Sequence, residues 1–231
     1  MTIKLGEIDV AIAGGATSFS REPLILRGLR FSGSRLGNVT LEDPLFELGY
    51  KDFNPVSVDT DNVAYEYGID RQEQDEWALR SHVNYGNAWH AGKFKDEITP
   101  LTIPQPKAEP KILDIDEQYR PDTSLERLSK LPTVYGTRAI TAGNAPGMND
   151  GATAILVMSR EKAEELGLEV LATIVAQVSI AINASRMPEG PGYAWQKVLK
   201  KADLSIDDMA VMEINEAFAA VPLVSTKLFA G

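Results

Sequence analysis

Cysteine is absent from all 231 residues, which excludes disulfides, thiolate metal sites and a thiol nucleophile carried by this chain. Histidine is nearly as scarce, and His82 and His90 alone cannot build a convincing metal cluster. Long hydrophobic runs are missing too: the longest mainly apolar stretch, 170–184, is interrupted by Thr173, Gln177 and Ser179 and is too short and polar to span a bilayer. Residues 1–12 contain Glu7 and Asp9 and lack the apolar centre and small-residue cleavage site of a secretory signal, so the expected location is cytoplasmic. Basic residues are outnumbered 23 to 33, and the net charge of −10 makes nucleic acid a poor partner. What is present, 44% hydrophobic residues over this length, suffices for one large domain or two small ones.

The pattern along the chain predicts an α/β arrangement with a polar insertion. Residues 9–13 read as a short buried strand closed by a tight turn at Gly14 and Gly15. From 19 to 58 scattered Gly, Pro and Asn predict irregular structure with one short helix. Thr60 or Asp61 is expected to cap a helix that stops at Gly68, and Asp70 with Glu73 forms a capping-box pair for a second reaching about Ala91. On that second helix Trp77, Ser81, Tyr85 and Ala88 recur at helical spacing. Four prolines keep 98–112 extended, and a short helix is expected over 124–130. Further on, 151–158 and 170–182 read as strands flanking a helix capped by Ser159 and closed at Gly167. After the turn-rich segment RMPEGPG a helix runs through Lys200, Ser205 and Asp208 form another capping pair, and 209–214 reads as a strand followed by a helix over 217–230.

Several clusters bear on chemistry. The 141–151 segment sets Gly143, Gly147 and Gly151 among Asn144, Asn149 and Asp150, which suits either a loop lining a ligand cleft or a demanding turn before a strand. It is not a phosphate-binding P-loop, because no Gly-Lys-Ser/Thr follows. Asn215, at the end of the expected strand, could hold a water or donate toward an oxyanion, or it could simply cap a helix with Glu216 in its first turn. Arg120, Ser124, Arg127 and Lys130 offer donors to a nucleotide phosphate or form a solvated helix face. The two histidines lack a serine or cysteine at motif-like spacing and are read as structural.

Several segments in order resemble one family. They are GEIDVAIAGGATSFSREP, GIDRQEQDEWALRSH, GKFKDEITPL, TSLERLSKL, AITAGNAPGMNDGATAILVMS and INEAFAA, and nearly the whole chain is covered. Together they are similar to the thiolases, acyl-CoA C-acyltransferases that form or cleave 3-ketoacyl-CoA in fatty acid metabolism. The resemblance implies a layered αβαβα fold of two similar halves with an inserted loop domain, here incomplete. Residues 1–19 would end the N-terminal half, 20–138 form the loop domain, 139–168 return to the N-terminal half, and 169–231 begin the C-terminal half.

The resemblance also implies site residues. Asn215 would position a water in an oxyanion hole, Met187 and Phe218 would line the acyl pocket, Arg120 would meet the nucleotide end of coenzyme A, and Ala142, Gly143 and Pro146 would lie beside its pantetheine. Pro146 stands where relatives often carry serine, and it has neither hydroxyl nor backbone donor. Ser57 and Val58 fall near another pantetheine contact, in a stretch shorter than in many relatives. The family's cysteine nucleophile, its Gly-His-Pro histidine and its second cysteine have no counterpart in this sequence. The expectation is therefore a thiolase portion inactive by itself, with acyl-CoA as substrate and no covalently bound cofactor. Its alternatives are one subunit of a split thiolase, completed by another chain, or a noncatalytic coenzyme A binder or assembly protein. Homo-oligomerisation is expected by inheritance from the family.

Overall fold

The computed structural model describes residues 2–47 and 54–230. Two compact units emerge, each built from separated pieces of chain: residues 1–55, 148–180 and 194–210 form the first, and 56–147, 181–193 and 211–231 the second.

In the first unit β1 (Val10–Ser18) pairs antiparallel with β4 (Asp150–Met158), from Val10 opposite Met158 to Ser18 opposite Asp150. The turn expected at Gly14 and Gly15 does not form, because β1 runs straight through them. Gly14 is there for close approach: a Cβ on it would sit 2.2 Å from the Thr153 carbonyl oxygen across the ladder. β1 is not buried as expected, and Ile12, Ile155 and Leu156 lie exposed on this ribbon. Ser159 then caps α6 (Arg160–Glu165) by accepting from the Lys162 N–H, and Gly167 closes it as predicted. Residues 19–47 carry a 3-10 turn (Phe19–Arg21) and two four-residue helices, α1 (Leu29–Ser32) and α2 (Pro44–Glu47). The part of the irregular 19–58 reading that falls on 48–53 lies outside the described residues, as does Phe53 at the head of the shortened stretch.

The strands expected over 170–182 and 209–214 are not present. β-branched residues favour extended backbone, but a strand also needs a neighbour to take its N–H and C=O groups, and neither segment has a ladder partner among the described residues. Two ammonium groups take part of that role, Lys197 reaching the Ser179 carbonyl at 2.8 Å and Lys201 that of Gln177 at 2.9 Å. Both lysines belong to α7 (Gly190–Ala202), one helical turn apart, which matches carbonyls two residues apart on an extended chain. The RMPEGPG segment is itself helical, a 3-10 run (Ala184–Glu189) leading directly into α7. Ser205 and Asp208 do pair as expected, though around a single 3-10 turn (Ile206–Asp208).

The second unit is mainly helical. α3 (Val56–Glu66) begins earlier than predicted, so Thr60 and Asp61 are interior and buried rather than caps. α4 (Arg71–His90) has the predicted capping box, with Asp70 accepting from the Glu73 N–H and Glu73 from the Asp70 N–H, both at 2.9 Å. The proline-rich extension folds as a hairpin, β2 (Leu101–Gln105) with β3 (Ala108–Leu113), whose register shifts beside Pro104. α5 (Leu125–Ser129) is capped by Ser124, and α8 (Ala220–Ala230) starts three residues later than predicted. The core joins Val63, Ala64 and Ile69 to Ile140, Phe218, Val221 and Val224, with a satellite of Ala78, Leu128 and Ala219. Burying each large side chain of that core contributes roughly 1.5–3 kcal/mol.

Candidate functional site

Two buried carboxylates and one amide shape the region where the 139–144 and 214–220 motifs meet. Asp61, inside α3, accepts from the backbone N–H groups of Ala139 and Arg138 at 2.9 and 3.0 Å and pairs with the Arg138 guanidinium. It caps a loop rather than its own helix, which is why a charged residue sits buried mid-helix. Asp75, on α4, pairs with Arg71 at 2.7 Å and accepts from the Asn144 side-chain amide at 2.9 Å. Arg71 in turn donates to the Leu128 and Leu131 carbonyls, tying α4 to α5.

Asn144 is the hub. Its Nδ2 also donates to the Ala139 carbonyl at 3.0 Å, its Oδ1 accepts from the Thr141 N–H at 2.8 Å, and its own carbonyl accepts from the Ala219 N–H at 2.9 Å. The 139–144 loop and the 214–220 segment are thereby locked together at a buried junction. Gly143 fits beneath them because a Cβ there would meet Leu128 at 2.5 Å and Leu131 at 2.7 Å.

Asn215 lies exposed on this segment, at the end of no strand and outside α8, so neither the sheet-edge placement nor the helix N-cap expected from sequence is realised. Its carbonyl instead accepts from the Ala217 N–H at 2.9 Å. Glu216 accepts from the Trp77 indole at 2.8 Å and from the Ser81 hydroxyl at 2.6 Å. Phe218 is buried in the core, and Met187 packs half-buried against the same cluster. Met187 sits between Arg186 and Pro188 in a segment fixed by charge. Arg186 bridges Glu66 and buried Glu189, and Tyr67 also donates to Glu189. The Arg186 hydrogen bonds hold the Glu189 carboxyl below its usual range, while burial first and Glu189 second push the Tyr67 hydroxyl up.

Arg120 is exposed, and its backbone N–H points at His82 Nδ1 across a long 3.4 Å. Burial, then the Arg120 charge, lowers the His82 pKa, with Glu216 acting in the opposite sense, so the imidazole is neutral and can accept there. Tyr119 stacks obliquely between His82 and Tyr85. Ser124, Arg127 and Lys130 do not join Arg120 as a donor cluster. Ser124 caps α5, Arg127 pairs with Asp122, and Lys130 pairs with Glu126 at 2.6 Å. Ala142 and Pro146 are exposed beside half-buried Gly143.

All seven sequence-derived positions, Arg120, Ala142, Gly143, Pro146, Met187, Asn215 and Phe218, fall in the second unit. What sequence reasoning missed is the support beneath them: Asp61, Asp75 and the Trp77, Ser81 and Glu216 contacts. The regular spacing of Trp77, Ser81 and Tyr85 on α4 was the available signal. No group of three or more potential metal ligands occurs among the described residues. Nor is any described helix long and apolar enough to cross a membrane.

Comparison with known proteins agrees with the motifs. The family model for the thiolase N-terminal domain matches residues 1–161, and that for the thiolase C-terminal domain matches 168–230. An acetyl-CoA acetyltransferase of Chromobacterium violaceum is 43% identical over 225 residues, and a probable acetyl-CoA acetyltransferase of Escherichia coli is 42% identical over 225. The alignment covers 96% of this chain and 57% of each of those proteins, so the chain spans little more than half their length. Among solved structures, the acetyl-CoA acetyltransferase of Bacillus anthracis superposes with a TM-score of 0.91 at 38% identity, over 98% of this chain and 58% of that one. Human mitochondrial 3-ketoacyl-CoA thiolase in complex with CoA superposes with a TM-score of 0.89 at 35% identity, over 98% and 57%. The fold is thus thiolase-like α/β, and the chain belongs to the thiolase family.

Proposed function

We propose that this chain supplies the loop domain and one wall of the acyl-CoA cleft of a thiolase, with residues 20–138 as the loop domain between two pieces of the layered core. The observation that carries the proposal is the interlock of the 139–144 and 214–220 motifs through Asn144, which holds Asn215 and Gly143 within one unit. Arg120 would face the nucleotide of coenzyme A, Ala142, Gly143 and Pro146 its pantetheine, and Met187 the acyl chain, with Phe218 in the core cluster that backs Met187. Asn215 would hold a water against the thioester oxygen, where one hydrogen-bond donor stabilises an oxyanion by about 3 kcal/mol. The likeness to a thiolase solved with CoA supports this assignment.

Acyl transfer needs a thiolate that attacks the thioester carbonyl and expels the coenzyme A thiol, together with a base that takes the proton from the attacking sulfur. Neither a cysteine nor a Gly-His-Pro histidine exists in this sequence, so those groups must come from other residues of the assembled enzyme. A complementing polypeptide is the second reading, and the exposed surface calls for covering residues, whether they lie on that polypeptide or on the same chain. The chain exposes 17,020 Å² at 25.2 kDa. A compact monomer of that mass exposes about 10,300 Å², and two independent domains sharing it about 12,400 Å². Exposed Ile12, Ile155, Leu171 and Val175 lie within the excess. Cytoplasmic location, a role in lipid metabolism and homo-oligomerisation belong to the same proposal.

The test is thiolysis of acetoacetyl-CoA, followed by loss of its enolate absorbance, together with calorimetric titration of the same protein. The expected result is binding of coenzyme A without turnover by the chain alone. Turnover at an ordinary enzymatic rate would overturn the inactivity, and absence of any binding would overturn the cleft assignment.

A further inference from the structure

α4 carries two adjacent rows of side chains at three- and four-residue intervals. Arg71, Asp75, Ala78 and His82 form one, and Trp77, Ser81 and Tyr85 the other. The first row reaches the 139–144 loop through Asp75, the Ala219 methyl through Ala78 and the Arg120 backbone through His82. The second reaches Glu216 twice, from the Trp77 indole at 2.8 Å and the Ser81 hydroxyl at 2.6 Å. These two donors engage different oxygens of the carboxylate, which fixes its plane as well as its position, and both bonds are charge-assisted. Arg80 lies over the Trp77 ring at 4.5 Å, and Trp77 packs on the Ala78, Leu128 and Ala219 cluster, so the indole is itself held.

From this arrangement we propose that Glu216 is a positioning residue. Clamped by Trp77 and Ser81, it fixes the backbone orientation of the neighbouring Asn215, so that α4 sets the acyl end of the cleft. Through His82 and the Arg120 backbone the same helix sets the nucleotide end. The proposal rests on the acyl-CoA assignment of Asn215 and Arg120 made above. Among the described residues no other hydrogen bond ties residue 215 to another element: its backbone contact to Ala217 is internal to the segment, the next backbone tie is Ala219 to Asn144, and the flanking Ile214 and Ala217 are held only by apolar packing against the core. Loss of the Glu216 clamp therefore leaves Asn215 placed only by the non-directional packing of Ile214 and Ala217 on either side of it.

The experiment compares the full chain with Glu216→Ala, with Glu216→Gln, which keeps one acceptor oxygen, and with the double variant Trp77→Phe/Ser81→Ala, which keeps the carboxylate and removes both donors. Two probes are titrated, acetoacetyl-CoA and the nucleotide fragment 3′,5′-ADP, and amide hydrogen exchange is followed at Ala217 and Ala219. Glu216→Ala and the double variant are expected to weaken acetoacetyl-CoA binding about tenfold, equivalent to ~1.4 kcal/mol. Affinity for 3′,5′-ADP stays the same, Ala217 exchange accelerates more than Ala219 exchange, and Glu216→Gln falls between. Equal weakening of both probes would mean a general structural role and would overturn the proposal. So would unchanged acetoacetyl-CoA affinity with unchanged Ala217 exchange. If the parent chain binds neither probe, the acyl-CoA assignment falls, and the exchange measurement alone still decides whether Glu216 holds the segment.

Discussion

Replacing Asn144 with alanine removes the amide that ties the 139–144 loop to itself and to α4, while the backbone bond to Ala219 remains, and its cost follows from the contacts. The side chain is 4% exposed and makes three bonds: to the Asp75 carboxylate at 2.9 Å, to the Ala139 carbonyl at 3.0 Å and from the Thr141 N–H at 2.8 Å. A bond to a charged group contributes about 2 kcal/mol and each neutral bond about 1 kcal/mol, so Asn144→Ala is expected to cost about 4 kcal/mol. Asp75 retains Arg71, which keeps its charge compensated and prevents a still larger loss. Asn144→Asp goes further at neutral pH, because it swaps the donor facing Asp75 for a second carboxylate. The assay is urea unfolding followed by tryptophan emission in a Trp195→Phe background, leaving Trp77 and Trp89 of the second unit as reporters. A loss below about 1 kcal/mol for Asn144→Ala would refute the hub role, since it would fall within the value of one ordinary hydrogen bond.

Further outcomes follow from the same geometry. Gly143→Ala is expected to cost about 1–3 kcal/mol by forcing Leu128 and Leu131 aside, measured as a lower urea midpoint; an unchanged midpoint would show that the loop shifts freely. Arg186→Ala leaves the buried Glu189 carboxylate without its counter-charge and with Tyr67 as its remaining partner, and should cost about 3 kcal/mol. Adding Glu189→Met should recover most of that loss, and a double variant as unstable as the single one contradicts the charge argument. The Asp150 carboxyl is held below its usual range chiefly by the Ser20 hydroxyl, then by the Ser20 N–H, opposed by desolvation, with Ser18 adding to the lowering. Because its folded pKa is depressed, this contribution is complete above the ordinary carboxylate pKa and disappears as pH falls through the lower folded value. Ser20 amide protection, corrected for intrinsic exchange, should therefore drop in acid, while Asp150→Asn shows a flat profile; identical profiles would rule the carboxylate out.

Local signals in the sequence translate into structure at three helix termini that carry their own cause, though not at Thr60, Asp61 or Asn215. The Asp70 and Glu73 capping box, the Ser159 cap with Gly167 and the Ser124 cap all form because each needs only its own turn. The strands expected over 170–182 and 209–214 are missing for the converse reason. Residues 170–182 have the composition of a strand and even alternate in exposure over 176–180, but a ladder is a property of two segments. Gly14 and Gly15 read as a turn in the sequence because a glycine needed for φ freedom and one needed for close approach, as Gly14 is, look the same until the opposite strand is in place. The motif residues of the site were legible as a family resemblance, whereas Asp61 and Asp75 were not. A buried aspartate whose partner lies about 70–80 residues away has no local spacing that announces it.

Those aspartates also change what the net charge of −10 means. Read from composition, an acidic excess repels anions everywhere, which would oppose a ligand carrying phosphates. In the folded second unit Asp61, Asp75, Glu189 and Glu216 are each occupied, by backbone N–H groups, by Asn144, by arginine or by Trp77 and Ser81. Their fields are met at close range by donors and by Arg71, Arg138 and Arg186, so at distances beyond about 8 Å little of that charge is felt at physiological ionic strength. Arg120, exposed and absent from every ion pair found among the described residues, is not offset in this way. On the proposed cleft assignment, an acidic protein thus still offers Arg120, unpaired among the described residues, to a phosphorylated ligand. The salt dependence of 3′,5′-ADP binding should then carry a negative slope in log affinity that Arg120→Gln flattens, although the global charge alone would give the slope the opposite sign.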